Sequence, residues 1–220
     1  MTDYPFISRS SLIIWRLLAA YPFAGLTWKV IDYIVGLRMQ RFDVWYVEDS
    51  DRYLYDAVNF ERTTAYESNV AYLSNYMVSV GIEDRWVLRP PQTKGLCVGG
   101  SDFDGLLRLY KEADAVLNLC GAQEMHKGQL DSRCLVFLET NSIKNKVKVV
   151  FGDGEKIEDL DAYSYLFTYG ENPSASDCLV PMECYFWHST RTQVVLEWWD
   201  TRWVSPSNDA LTTLAKRQPT

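Results

Sequence analysis

The 220-residue chain contains only two histidines, His126 and His188, and no two cysteines in a CxxC arrangement. With imidazole so scarce and thiols unpaired, a metal site of the usual nitrogen and sulfur ligands has little to be built from. The five cysteines, Cys97, Cys120, Cys134, Cys178 and Cys184, are odd in number and widely spaced, which fits reduced, largely buried thiols better than a disulfide framework. There is no Gly-x-Ser-x-Gly elbow, no Walker loop, no His-Glu-x-x-His and no kinase motif set. A nicotinamide-binding turn would lack its second and third glycines, and no cofactor is implied. Basic residues are in deficit too: 22 Lys and Arg face 29 Asp and Glu, for a formal charge of -7. That excludes a broad nucleic-acid or anionic-membrane footprint, which needs Lys and Arg massed against phosphates, yet leaves room for a local basic pocket for one small anion.

Long hydrophobic runs are also missing. Arg16, Pro22, Lys29 and Asp32 interrupt the only stretch that approaches the length of a bilayer span, so no membrane span is expected. Arg9 ahead of the run 12–20, which closes on Ala19 and Ala20, has the outline of an export signal. Arg16 sits inside that run, and a strand feeding a helix explains it better. The chain therefore reads as soluble and cytoplasmic.

What is present is a core: 47% of residues are apolar and 14% aromatic. The apolar run 12–18 predicts a strand. The turn-forming Tyr21, Pro22, Phe23, Ala24, Gly25 and Leu26 follow, and then an amphipathic helix over 27–40 with Thr27 able to cap it. A second strand over 44–47 closes on Glu48 and Asp49. Helical spacing recurs over 63–80, capped by Thr63 or Thr64 and stopped by Gly81, and again over 102–113 with Phe103, Leu106, Leu107 and Tyr110 inward. Short apolar runs at 85–88, 114–119, 134–138, 147–151 and 194–199 predict further strands. Alternating strands and helices define an α/β, Rossmann-like three-layer domain with a mostly parallel sheet over 1–203, and the polar 204–220 reads as a flexible tail or linker.

In such sheets ligands bind beyond the carboxyl ends of the strands. That edge should collect the 22–26 loop, Glu48, Gly121 and Glu139. Phe23, Gly25, Leu26 and Thr27 sit where a helix start offers free N–H groups to phosphate or hydroxyl ligands, and equally where a plain turn would. Glu48 and Asp49 are placed to bind hydroxyls or act as a base, or to stand solvated at a strand end. His188, after Tyr185, Phe186 and Trp187, is a group that could stack on a ligand or serve as a structural histidine. Glu171 and Asn172 either line the cleft or fold their own turn.

Four stretches carry a family likeness. They are Tyr21-Pro22-Phe23-Ala24-Gly25-Leu26-Thr27-Trp28 with Tyr33-Ile34-Val35-Gly36-Leu37; Asp43-Val44-Trp45-Tyr46-Val47-Glu48-Asp49-Ser50; Phe167-Thr168-Tyr169-Gly170-Glu171-Asn172; and Thr190-Arg191-Thr192-Gln193-Val194-Val195-Leu196. Together they resemble the amino-terminal half of a bacterial group of GT-B-like glycosyltransferases, over about residues 12–199. The resemblance implies two facing Rossmann-like domains, with the amino-terminal one contacting the acceptor and the carboxy-terminal one holding most of the sugar nucleotide. It implies transfer of a sugar to an acceptor hydroxyl, with Asp49 or Glu48 as catalytic base. Where the group shows an Asp-Thr-Asp-Pro turn, this chain has Glu139-Thr140-Asn141-Ser142, which keeps one acid and loses another. The second domain would begin shortly after Trp203, so the expectation is a half that needs a partner domain for turnover. The competing expectation is a noncatalytic module that binds a ligand or protein. Trp187, Trp198, Trp199 and Trp203 crowd the end of the chain and suggest either a homodimer packed through indoles or a terminal segment that folds back and buries these rings internally.

Overall fold

Three consecutive residues, Ile13, Ile14 and Trp15, are fully buried although successive side chains of a strand point to opposite faces. Only a strand covered on both sides meets that condition. The computed structural model describes residues 10–121, 123, 125, 132–141, 143–173, 175–182 and 184–197. Along the chain run β1 (Ser11–Trp15), α1 (Ala24–Met39), β2 (Asp43–Glu48), β3 (Leu54–Asp56), β4 (Glu61–Thr63), α2 (Glu67–Ser79), β5 (Trp86–Leu88) and β6 (Val98–Gly99). There follow α3 (Phe103–Glu112), β7 (Ala115–Leu119), β8 (Leu135–Glu139), α4 (Lys144–Val150), α5 (Gly154–Asp161), β9 (Tyr165–Tyr169) and β10 (Trp187–Thr190).

The main sheet has the order β10-β9-β8-β7-β1-β2-β5-β6, and β3 and β4 form a separate antiparallel hairpin. Every neighbour in the main sheet is parallel except β6, which closes one edge antiparallel to β5. Counted in chain order, the parallel strands run third-second-first-fourth-fifth-sixth-seventh, which is the Rossmann order extended by one strand. The winding reverses beside β1, between β2 and β7.

Two cores sandwich this sheet. On one face Val30, Ile31 and Ile34 of α1 and Leu73 and Met77 of α2 pack over Ile14, Val44, Tyr46, Leu119 and Leu138. On the other, Leu106 and Tyr110 of α3, Val149 of α4 and Leu160 of α5 cover Ile13, Trp15, Val47, Phe137 and Trp187. The fold is thus the expected three-layer α/β architecture. No helix among the described residues is long and apolar enough to cross a membrane.

Several local expectations change. The first strand leaves the sheet after Trp15 rather than at Leu18, because side chains of β2 capture the backbone of 16–20. Helix α1 starts at Ala24, so Thr27 lies in its first turn, buried, with its hydroxyl bonding back to the Phe23 carbonyl instead of capping. Thr63 belongs to the hairpin, and α2 begins only at Glu67. Phe103 is exposed rather than inward. The apolar run 147–151 is the end of α4 and not a strand: parallel β8 and β9 need a crossover, and that requirement overrides β-branched propensity. Only Val149 of that run is buried, and Phe151 is 84% exposed. The last strand among the described residues is β10, and Val194 and Val195 run outside the sheet, with the Val195 N–H donated to Asp32. Trp187 is buried inside the chain against Phe137, so it does not serve a dimer face. Trp198, Trp199, Trp203, His126 and the tail lie outside the described residues.

Candidate active-site edge

All the parallel strands end on one edge, and β2 contributes its two terminal acids there. Glu48, 1% exposed, accepts the N–H groups of Ala19 at 2.8 Å and Ala20 at 2.7 Å, with the Tyr46 hydroxyl 2.9 Å from its Oε2. Burial pushes its carboxyl up to about 7, against the pull of those N–H groups and the hydroxyl. The Tyr46 hydroxyl also reaches the Arg16 carbonyl at 2.9 Å and accepts from the Leu18 N–H at 3.0 Å. From α2, the buried Asn69 amide donates to the carbonyls of Ala19 and Tyr55. A loop that leaves a sheet without secondary structure must find partners for its buried backbone groups, and these three side chains supply them.

Asp49 is equally committed. Its carboxylate pairs with Arg89, just past β5, and the Tyr110 hydroxyl of α3 lies 3.4 Å from its other oxygen. Its N–H is donated at 2.7 Å to the side-chain oxygen of Gln123, whose amide donates in turn to the carbonyls of Val47 at 2.6 Å and Arg16 at 3.2 Å. Asn118 on β7 holds the Gln123 carbonyl at 3.0 Å and the Tyr163 hydroxyl at 2.7 Å. The crevice beside β1, where doubly wound sheets seat ligands, is therefore filled by the protein's own amide and carboxylate.

Open space lies to either side. Beyond β1 and β2 a cavity of about 410 Å³ is walled by the rings of Tyr21, Phe23, Tyr53, Tyr55 and Phe60, with Glu61 and Arg62. The β3–β4 hairpin builds its far side: Asp56 accepts the N–H groups of Val58 and Asn59, and Phe60 follows with φ 59°, its ring 77% exposed. Phe23 packs on Tyr55 with ring centroids 5.4 Å apart. Beyond β7 and β8 a second cavity of about 250 Å³ lies against Cys120, Gly121, Glu139 and Thr140, with lysines of α4 and α5 around it.

The residues expected at the edge divide among these places. Phe23 lines the aromatic cavity, while Gly25, Leu26 and Thr27 form the first turn of α1 beside it. Gly121 and Glu139 meet in the second cavity. Glu48 and Asp49 line neither cavity. His188 stands mid-strand on edge strand β10, stacked on Phe167 at 5.0 Å and edge-on to Phe186 at 4.7 Å, away from both cavities. Glu171 makes an exposed pair with Arg191, and the Asn172 carbonyl accepts from Ala175 within its own turn. All five cysteines are free; four are half-buried and Cys184 is exposed, so burial is shallower than expected. Among the described residues no group of three or more His, Cys, Asp or Glu is placed to hold a metal ion.

Sequence reasoning missed the hairpin rings, Gln123 and Asn69, and the lysine face of α4. The turn from Asp56 to Asn59 was a usable hairpin signal, and Lys144 and Lys148 stand at helical spacing. With this geometry in place, the class is clear: a doubly wound, Rossmann-like α/β domain. No protein-family model matches the chain, and a search of curated proteins finds no match.

Proposed function

We propose that this domain is the acceptor-side half of a sugar-nucleotide-dependent glycosyltransferase, and that the aromatic cavity receives the acceptor. The observation that supports this reading most is the cavity itself. Its volume of about 410 Å³ falls in the range of ordinary small-molecule sites. Sugars present polarised C–H faces to aromatic rings, whose π-faces are electron-rich, and hydroxyls to charged groups. Tyr53, Tyr55 and Phe60 offer the rings, and Glu61 and Arg62 offer the polar partners. The expected bases, Glu48 and Asp49, are occupied inside the fold. Glu61 lines the cavity, and in this reading it is the carboxylate that orients or deprotonates the acceptor hydroxyl.

The burial of both expected bases favours a second reading, a noncatalytic module that binds a saccharide through the same cavity. One set of measurements separates the two. Saturation-transfer NMR with a panel of mono- and oligosaccharides should detect binding, weakened about tenfold or more in Phe60→Ala, which removes some 1.4 kcal/mol of contact. Donor turnover should be absent from these 220 residues alone and should appear on adding a sugar-nucleotide-binding domain, with loss in Glu61→Gln. Saccharide binding without turnover under any such addition supports the module. No saccharide binding at all overturns both.

A further inference from the structure

The chain is acidic overall, with a formal charge of -7, yet three lysines gather at the cavity beyond β7 and β8. Lys144 and Lys148 of α4 and Lys156 of α5 line it, together with Thr140, Asn141 and Asn145. One carboxylate, Glu139, also lies there, but it is taken up on its buried side. Lys146 pairs with it, Thr168 is within 3.3 Å, and the Asn145 N–H donates to its other oxygen at 3.3 Å. With Glu139 paired to Lys146, the cavity keeps Lys144 and the donors of Lys148 and Lys156, two lysines that already hold acids of their own outside it.

Two of those ammonium groups are also oriented. Asp153 holds Lys148 at 2.9 Å and Asp159 holds Lys156 at 2.6 Å, and neither acid lines the cavity. An ammonium has three donors, so each lysine keeps two for a ligand after its acid is satisfied. The hydroxyl of Thr140 and the amides of Asn141 and Asn145 add neutral donors. The facing wall at the end of β7 is made by Cys120, whose thiol lies 2.6 Å from the Thr140 hydroxyl, and by Gly121. Gly121 has φ 57°, and a Cβ there would run into the buried Phe137 ring, so only glycine fits this position.

We propose that this cavity is a binding site for a phosphoryl group carried as inorganic phosphate or as a small phosphate monoester. A phosphoryl group, with three acceptor oxygens, can use the lysine and amide donors gathered here more fully than a two-oxygen carboxylate can. A volume of about 250 Å³ is below the roughly 300–1,000 Å³ of sites that engulf drug-sized ligands, which favours one phosphoryl group with a small attachment over a nucleoside diphosphate. The site stands whether or not the domain transfers sugar, because none of its lining residues belongs to the aromatic cavity.

The test is isothermal titration of the full chain at low ionic strength with inorganic phosphate, with a hexose monophosphate and with the unphosphorylated hexose. It is repeated on Lys144→Glu, Lys148→Glu and Lys156→Glu, and on Lys111→Glu, an exposed lysine of α3 that serves as a charge control. Phosphate binding in the millimolar range or tighter, weakened about tenfold or more by each cavity reversal and unmoved by Lys111→Glu, is the expected result. Tighter binding of the hexose monophosphate than of phosphate identifies an ester as the ligand, and equal binding identifies free phosphate. Absence of phosphate binding by a folded wild-type chain, or equal weakening by the control, overturns the proposal. Saccharide binding by the unphosphorylated hexose tests the aromatic cavity instead, so the two readings fail separately.

Discussion

Glu48 should hold its proton well above the ordinary carboxylate range, to about half occupancy at pH 7, and the hydrogen-bond count around Tyr46 shows why. The Tyr46 hydroxyl owns one hydrogen, yet two acceptors stand 2.9 Å away, the Arg16 carbonyl and Glu48 Oε2. With Glu48 ionised, one of these oxygen pairs has no hydrogen between them. With a proton on Oε2, Glu48 donates to Tyr46 and Tyr46 donates to Arg16, while the second Tyr46 lone pair takes the Leu18 N–H at 3.0 Å. Burial works in the same direction, raising the carboxyl from its ordinary 4.5 to about 7. A carboxyl raised on folding stabilises the protein fully below its unfolded value, and that contribution disappears as pH climbs through the folded value. Here the window runs from about 4.5 to about 7, and a displacement of that size is worth roughly 3 kcal/mol.

Urea denaturation of the wild type and Glu48→Gln, at pH values from about 5 to 8, measures this directly. The variant mimics the protonated acid toward Tyr46 but cannot accept the Ala19 N–H, so it should start about 1–3 kcal/mol less stable at the acid end. It should then lack the Glu48 share of the decline, so that the two curves converge toward pH 8. Arg16 and the Asp49–Arg89 pair beside Glu48, and the distant His188, are common to both proteins and cancel in the comparison. Parallel curves with a constant offset would refute the proton count, as would a carboxyl carbon resonance of Glu48 that titrates near 4.5.

Two further outcomes follow from buried polar groups. Lys146→Met should cost about 3–5 kcal/mol in urea denaturation, because Glu139 is left buried without its cation, and adding Glu139→Leu should restore much of the loss; purely additive effects would contradict the pairing. Gln123→Ala should cost about 2 kcal/mol or more by leaving the Val47 carbonyl and the Asp49 N–H unpaired, and an unchanged midpoint of unfolding would show that Gln123 does not seal the crevice.

The layers and the sheet were legible because core strands announce themselves as short apolar runs, and 115–119 or 135–138 admit few other readings. Boundaries were set elsewhere. Trp15 ends β1 because Tyr46 and Glu48, some thirty residues on, claim the next backbone groups, and no window around residue 16 contains that information. The run 147–151 misled for a related reason: its valines suit a strand locally, but two parallel neighbours demand a crossover between them. At the site, strand-end position correctly brought Glu48, Gly121 and Glu139 to the edge, but not whether an acid there faces ligand or protein. That depends on which unpaired N–H groups the adjoining loop presents. The loop after β1 presents two, from Ala19 and Ala20, and Glu48 is consumed by them.

The edge is thereby divided. In the order β8-β7-β1-β2 the sealed crevice lies at the centre, with the lysine-lined cavity on the β7–β8 side and the aromatic cavity on the β1–β2 side. Neighbouring strands stand about 4.8 Å apart, so two spacings, about 10 Å, separate the β7–β8 side from the β1–β2 side along the edge. In a hexose monophosphate the phosphorus lies next to the ring, so one such molecule cannot seat its ring on Phe60 and its phosphate among Lys144, Lys148 and Lys156 together. If both proposals hold, the cavities take different ligands or the two ends of one molecule long enough to cross above Gln123. A sugar at one end and a phosphoryl group at the other would then reinforce each other only through the length of the connecting part, because the protein between them is already filled.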